Sequence, residues 1–248
     1  MLIVQVANLV HSTSGGISRT MTELRNEYTA LGHQVVVITP GSNFSDSIDD
    51  SGVRHIQLEA PQVPGWGGYR LIWRRQALKD LLLRIVPDII EIHDKTTLWW
   101  LGVFAQKIGA TGFVFSHESL SQLLKSHLKI SWIAHRLADN QHRRLIRNTQ
   151  NFICASTFAA NELERLDIAP IRISLGVDHT QFGSEQVINE HADQFHGRAH
   201  TVTFVGRLSP EKNPLLAVSA MREICQTRHD IQLVVIGDGP LKEELMDH

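Results

Sequence analysis

Two cysteines in 248 residues exclude a disulfide-stapled fold. Cys154 and Cys225 each lie in an apolar stretch and read as buried thiols of a reducing compartment. Metal signatures are missing too: there is no Asp-x-Asp, no His-Glu-x-x-His and no cysteine pair at zinc spacing. No apolar run approaches the roughly 18 residues of a membrane span. The opening MLIVQVANLV has no basic lead and no small-residue cleavage site, so it reads as a buried first strand and not as a signal peptide. Neither sign of charge dominates; a net charge of −2 argues against nucleic acid as the main partner. Internal repeats and low-complexity tracts are absent. What remains is a cytoplasmic globular chain, 42% hydrophobic, long enough for one large or two small cores and compatible with resting on a membrane surface.

Within it, short apolar runs alternate with helical patterns. Residues 2–8, 34–39, 53–58, 88–93, 112–116, 151–155 and 171–174 read as strands. Helical spacing fills 16–31 (Ile17, Met21, Leu24, Tyr28, Leu31), ending at Gly32 where a left-handed cap falls. Further helices are expected at 70–86, stopped by Pro87, near 96–108, across 119–148 and at 157–166. Such alternation means right-handed crossovers and a parallel sheet covered on both faces. Residues 183–200 are polar and aperiodic, and read as a linker that includes His191 and His196. The pattern restarts with strands at 201–206 and 232–237 and helices at 213–227 and from 240. The expected organisation is therefore a Rossmann-like domain over 1–182, a linker over 183–200, and the first part of a second domain over 201–248. Two strand–helix units cannot close a normal core, so the second domain is expected to be incomplete or completed by a partner.

Four strand ends hold residues able to do chemistry. Ser14-Gly15-Gly16-Ile17-Ser18-Arg19 follows the first strand, where glycines let backbone approach a phosphate and a helix N-terminus offers free N–H groups. The dinucleotide and P-loop glycine fingerprints are both absent, and a tight turn is the plainer reading. Ser116-His117-Glu118-Ser119 ends a core strand, and ligands of open parallel sheets bind at the carboxyl ends of strands. His117 there either faces the cleft or is one ordinary histidine among 14; Asp94 has the same placement. Gly206-Arg207-Leu208-Ser209-Pro210-Glu211-Lys212-Asn213-Pro214 sets an Arg fork and a Lys point charge beside a strand end, suited to clamping a diphosphate unless both are simply solvated. Gly237-Asp238-Gly239-Pro240 is a further strand-to-helix turn, structural first and lining a cleft second. Residues 66–84 and 123–147 mix aromatics and leucines with Arg and Lys, and either lie in an anionic lipid interface or pack on the sheet with a solvated basic face.

Taken in order, Gly15-Gly16-x-x-Arg19, Ser116-His117-Glu118-Ser119-Leu120, Leu175-Gly176-Val177-Asp178 with Phe182, the Gly206–Pro214 segment and the Gly237–Pro240 turn resemble the retaining GT-B glycosyltransferases of family 4. Pro61–Arg70 and Asp94-Lys95-Thr96-Thr97-Leu98 are similar to α-mannosyltransferases that act on glycolipids with GDP-mannose. The resemblance implies an α/β GT-B architecture of two Rossmann-like parallel-sheet domains. It implies transfer of a hexose from a nucleotide sugar to a lipid-linked or saccharide acceptor with retention, without a metal or other cofactor, in the cytoplasm or on the inner face of the plasma membrane. Gly16 would lie near the donor diphosphate, His117 at the reaction centre, and Arg207 and Lys212 on the diphosphate, assisting the leaving group. Gly15, Arg19, Asp94 and Glu118 would line the acceptor side or cleft. The family's later Glu-x₇-Glu segment has no counterpart; Glu243 and Glu244 come too early. Impaired activity at this length is thus expected. A non-catalytic remnant or partner-binding domain, and a sugar-nucleotide epimerase on the same fold, stand as alternatives.

Overall fold

The computed structural model describes residues 1–8, 10, 15–64, 68–117, 131–177, 179 and 200–247, with the side chains of residues 131, 133–135 and 211 excepted. Contacts divide the chain into two compact units, Met1–Gly176 and Val177–His248.

The first unit is an eight-stranded sheet in the order β3-β4-β2-β1-β5-β6-β7-β8. Its strands are β1 (Leu2–Val6), β2 (Gln34–Gly41), β3 (Ser45–Ile48), β4 (Arg54–Glu59), β5 (Ile89–Ile92), β6 (Thr111–Ser116), β7 (Asn151–Cys154) and β8 (Ile171–Arg172). All pairings are parallel except β3 with β4. The helices are α1 (Gly16–Ala30), α2 (Arg75–Ile85), α3 (Leu101–Lys107), α4 (Ser131–Ile146) and α5 (Thr157–Glu164). Alternate residues of a strand face opposite sides, and both sides are covered here. Val36 and Ile38 join the large core with Val4, Ile90 and Phe152, while Val35 and Val37 meet Met21 of α1 on the other face.

Three departures from the sequence reading have local causes. The antiparallel edge strand β3, of sequence SDSI, is fully exposed and has no apolar signal to betray it. It forms because the Asp49 carboxylate closes the turn, accepting from the Ser51 and Val53 amides at 3.0 Å, and because Arg54 grips Asp46 with two hydrogen bonds. Helix α2 begins at Arg75, not residue 70: the preceding chain pairs Arg70 with Gln62 in a bridge, and the Ile72 amide is held by Asn8. Its end is as expected, since Pro87 disfavours a right-handed residue before it, and Val86 closes the helix at φ 54°. Cys154 is buried but Cys225 is exposed, contrary to the reading of two buried thiols.

The second unit pairs β9 (His200–Val205) in parallel with β10 (Ile231–Ile236), with α6 (Pro214–Ile224) and α7 (Lys242–Met246). Leu208 and Met221 are its buried hydrophobic side chains among the described residues, and Val205 and Ile236 are 72% and 51% exposed. So thin an interior explains the exposed Cys225 just beyond α6. No described helix is long and apolar enough to cross a membrane.

Candidate active site

In the first unit the strand order reverses at β1, which pairs with β2 on one side and β5 on the other. The crevice outside the carboxyl ends of the strands at such a reversal is where open α/β sheets take ligands. Three features meet this edge: the N-terminus of α1, the turn after β5, and His117 after β6.

Helix α1 starts at Gly16 with Gly15 as its cap, no side-chain cap hydrogen bond and no acid in its first turn. Its leading N–H groups keep their positive potential. Neither Gly15 nor Gly16 has a positive φ, and a Cβ at either would meet no described atom within 4 Å. The described backbone at Gly15 and Gly16 does not itself demand glycine. Arg19 pairs with Glu23 at 2.6 Å along the helix surface. Ser14, Glu118, Ser119 and Leu120 lie outside the described residues.

Asp94 is buried and its carboxylate holds the turn leaving β5. It accepts from the Thr96 amide at 2.6 Å, from the Thr96 and Thr97 hydroxyls, and from Asn8 Nδ2 at 3.2 Å. The Asn8 Oδ1 in turn accepts from the Ile72 amide at 2.9 Å. One asparagine thus ties the ends of β1 and β5 to the segment before α2, and Asp94 shapes the edge of the site.

Behind His117 runs a connected set of buried polar groups. His117 Nε2 lies 2.8 Å from His93 Nδ1, and His93 Nε2 lies 3.3 Å from Glu91 Oε2. Glu91 also accepts from Gln5 Nε2 at 2.9 Å and from the Tyr28 hydroxyl. Both imidazoles stack on Phe115, with centroids 5.6 Å away for His93 and 4.5 Å for His117. Burial drives the His117 pKa down to about 3, and the neighbouring His93 and Lys95 act in the same direction. For Glu91, burial pushes upward, but the interaction with His93 and the hydrogen bonds from Tyr28 and Gln5 outweigh it and leave the carboxyl below its usual range. Lys95, also buried, donates to Ser116 Oγ at 2.9 Å and stands 3.5 Å from Glu162. His117 is marked in the sequence by its place at a strand end, and its support is not marked in that way. A signal was present: Gln5 within LIVQV and Glu91 within IIEI are polar residues inside apolar strands, and such groups need partners when buried.

In the second unit the loop after β9 carries Arg207 and Lys212, both exposed. Leu208 anchors it: its amide donates to Asp238 O and its carbonyl accepts from the Leu241 amide, both at 2.9 Å. A Cβ on Gly237 would collide with the Gly206 carbonyl oxygen, and one on Gly239 with the Leu208 carbonyl oxygen. Both glycines therefore serve the backbone packing that sets the Arg207 loop. Pro210–Lys212 form a 3₁₀ turn and Asn213, at φ 50°, leads into α6. Among the described residues no three His, Cys, Asp or Glu side chains converge as metal ligands.

Residues 14–181 match the model of Glycosyltransferase Family 4. The chain belongs to glycosyltransferase family 4. Residues 188–248 of this family 4 chain match a second model, Glycosyl transferases group 1. It is 32% identical, over 99% of its length and 64% of the relative's, to a GDP-mannose-dependent α-(1-6)-phosphatidylinositol dimannoside mannosyltransferase of Mycobacterium tuberculosis. A phosphatidylinositol N-acetylglucosaminyltransferase subunit of Saccharomyces cerevisiae is 24% identical over 96% of the chain and 53% of its own length. The family 4 chain thus spans less than two thirds of either relative. Anabaena HepE in complex with UDP superposes with a TM-score of 0.68 at 16% identity, covering 98% of this chain and 63% of that one, which places the fold in the GT-B type.

Proposed function

We propose that this chain handles GDP-mannose and a phosphatidylinositol-type glycolipid in a retaining mannosyl transfer. The observation that carries the donor is the identity with a mannosyltransferase that runs the length of the chain. The acceptor class is supported by the two relatives, which differ in the sugar they are named for and share phosphatidylinositol.

The chemistry of the residues in each unit supports a division of labour. The α1 N-terminus offers N–H groups to phosphate oxygens near Gly16. Arg207 and Lys212 neutralise the diphosphate charge as the sugar–phosphate bond breaks. His117 is a hydrogen-bond partner of the transferred sugar. An imidazole with a pKa of about 3 is too weak a base to carry the acceptor's proton at neutral pH. Trp73 and Trp132, each 65% exposed, are suited to a lipid interface. Arg75 and Lys79 are engaged otherwise, lying over the rings of Trp99, Trp100 and Phe104 at 5.0–5.8 Å.

Calorimetric titration of the chain with GDP-mannose, GDP and UDP-glucose tests the reading. GDP and GDP-mannose should bind in preference to UDP-glucose. Arg207→Ala and Lys212→Ala should each weaken binding by about tenfold or more, since hydrogen bonds to charged groups contribute roughly 1.5–3 kcal/mol. A folded chain that binds none of the three would point to a non-catalytic domain, and a preference for UDP-glucose would overturn the donor assignment.

A further inference from the structure

With both imidazoles neutral, the hydrogen bonds behind His117 admit one proton count. A carboxylate only accepts, so His93 Nε2, facing Glu91 Oε2, carries hydrogen. In a neutral imidazole the other nitrogen is then an acceptor, so His93 Nδ1 receives its hydrogen bond from His117 Nε2. That leaves the His117 Nδ1 as a lone pair, and no described residue donates to it.

We propose that Glu91 and His93 are positioning residues that lock His117 in the neutral tautomer protonated at Nε2, so that Nδ1 is presented as a fixed hydrogen-bond acceptor for a hydroxyl of the donor sugar. The sugar hydroxyl rests on the donor reading above; the tautomer does not. Gln5 from β1 and Tyr28 from α1 converge on the same carboxylate as His93, which holds Glu91 ionised and its oxygens oriented. Phe115, stacked on both rings, fixes their planes. Among the described residues the charged and titratable groups around the pair are Glu91, Tyr28 and Lys95; burial, with the Lys95 charge, keeps a proton off His117. An acceptor that does not ionise distinguishes a hydroxyl from a deoxy or fluoro position without altering its own charge when the site fills.

Two-bond ¹H–¹⁵N correlation on the histidine-labelled chain reads the tautomer directly, with His117→Gln identifying the signal. The expected result is an Nε2–H ring on His117 at pH 8. His93→Phe keeps an aromatic ring for the stack and removes the acceptor, so His117 should become a tautomer mixture. His93→Gln supplies an acceptor toward His117 and a donor toward Glu91 in one side chain, so it should restore the Nε2–H form. An Nδ1–H ring in the unaltered chain would overturn the relay, as would a His93→Gln variant that fails to restore the tautomer. Should His93→Phe not fold, the unaltered chain and His93→Gln still decide. Donor binding measured on the same samples separates the two readings: the assigned tautomer in a chain that takes up no nucleotide sugar leaves the relay standing and removes the donor assignment.

Discussion

His142 is buried, and neither of its ring nitrogens finds a hydrogen-bond partner among the described residues; Glu162 stands 3.6 Å from Nε2, just out of reach. Burial, and then the Lys95 charge, drive its pKa down to about 4, against the opposing pull of Glu162. The unfolded chain therefore binds a proton at His142 before the folded one does. Stability from this site is whole above pH of about 6.5 and is lost progressively as pH falls toward about 4. His117, depressed to about 3, acts in the same direction over a wider window. His142→Phe should flatten the decline in urea midpoint between pH 7.5 and 5, and an unchanged decline would show that other groups dominate it. At this scale the sequence was legible where a residue stands at a strand end, as His117 does. It was opaque where the partner is remote in sequence: Gln5 and Glu91 are 86 positions apart, and only strand pairing brings them together.

Among the elements, strands with continuous apolar runs and helices with clear stops were readable, because burial on both faces of a parallel sheet leaves its mark on every residue. Strand β3 was not, since hydrogen bonds and an Asp46–Arg54 pair hold it without burial. The Gly237–Pro240 turn was rightly placed between a strand and a helix, but its fit against the Arg207 loop is a matter of backbone meeting backbone and leaves no pattern beyond glycine itself. That fit gives a prediction free of any charge change. Gly237→Ala, whose Cβ has no room beside Gly206 O, should cost about 1–3 kcal/mol in stability and should weaken nucleotide binding with Arg207 and Lys212 intact. Thermal melting and calorimetry on one sample check both, and full affinity in a normally stable variant would mean that the loop adjusts without consequence.

For the molecule as a whole, the two units differ in how much they hide. The sheet of Met1–Gly176 carries a core of side chains such as Ile38, Ile56, Leu82 and Phe152 that are almost wholly buried. The described part of Val177–His248 buries Leu208 and Met221 and exposes Leu216 at 63%. Amide hydrogen exchange should find β1, β2 and β5 protected to the level of global unfolding and β9 and β10 opening far more readily. Equal protection in both units would contradict the burial difference. The sparse interior of the second unit among the described residues follows from a sheet of two strands, which covers little on either face.

The position of β1 also bears on how the chain is made. Leu2–Val6 precede both β2 and β5 in the chain, yet they sit between them. One flank of β1 can pair in full only after residue 38 exists, and the other only after residue 92. Until β5 has been made LIVQV keeps one unsatisfied edge, open to other nascent chains or to chaperones, and the sheet of the first unit cannot close around it.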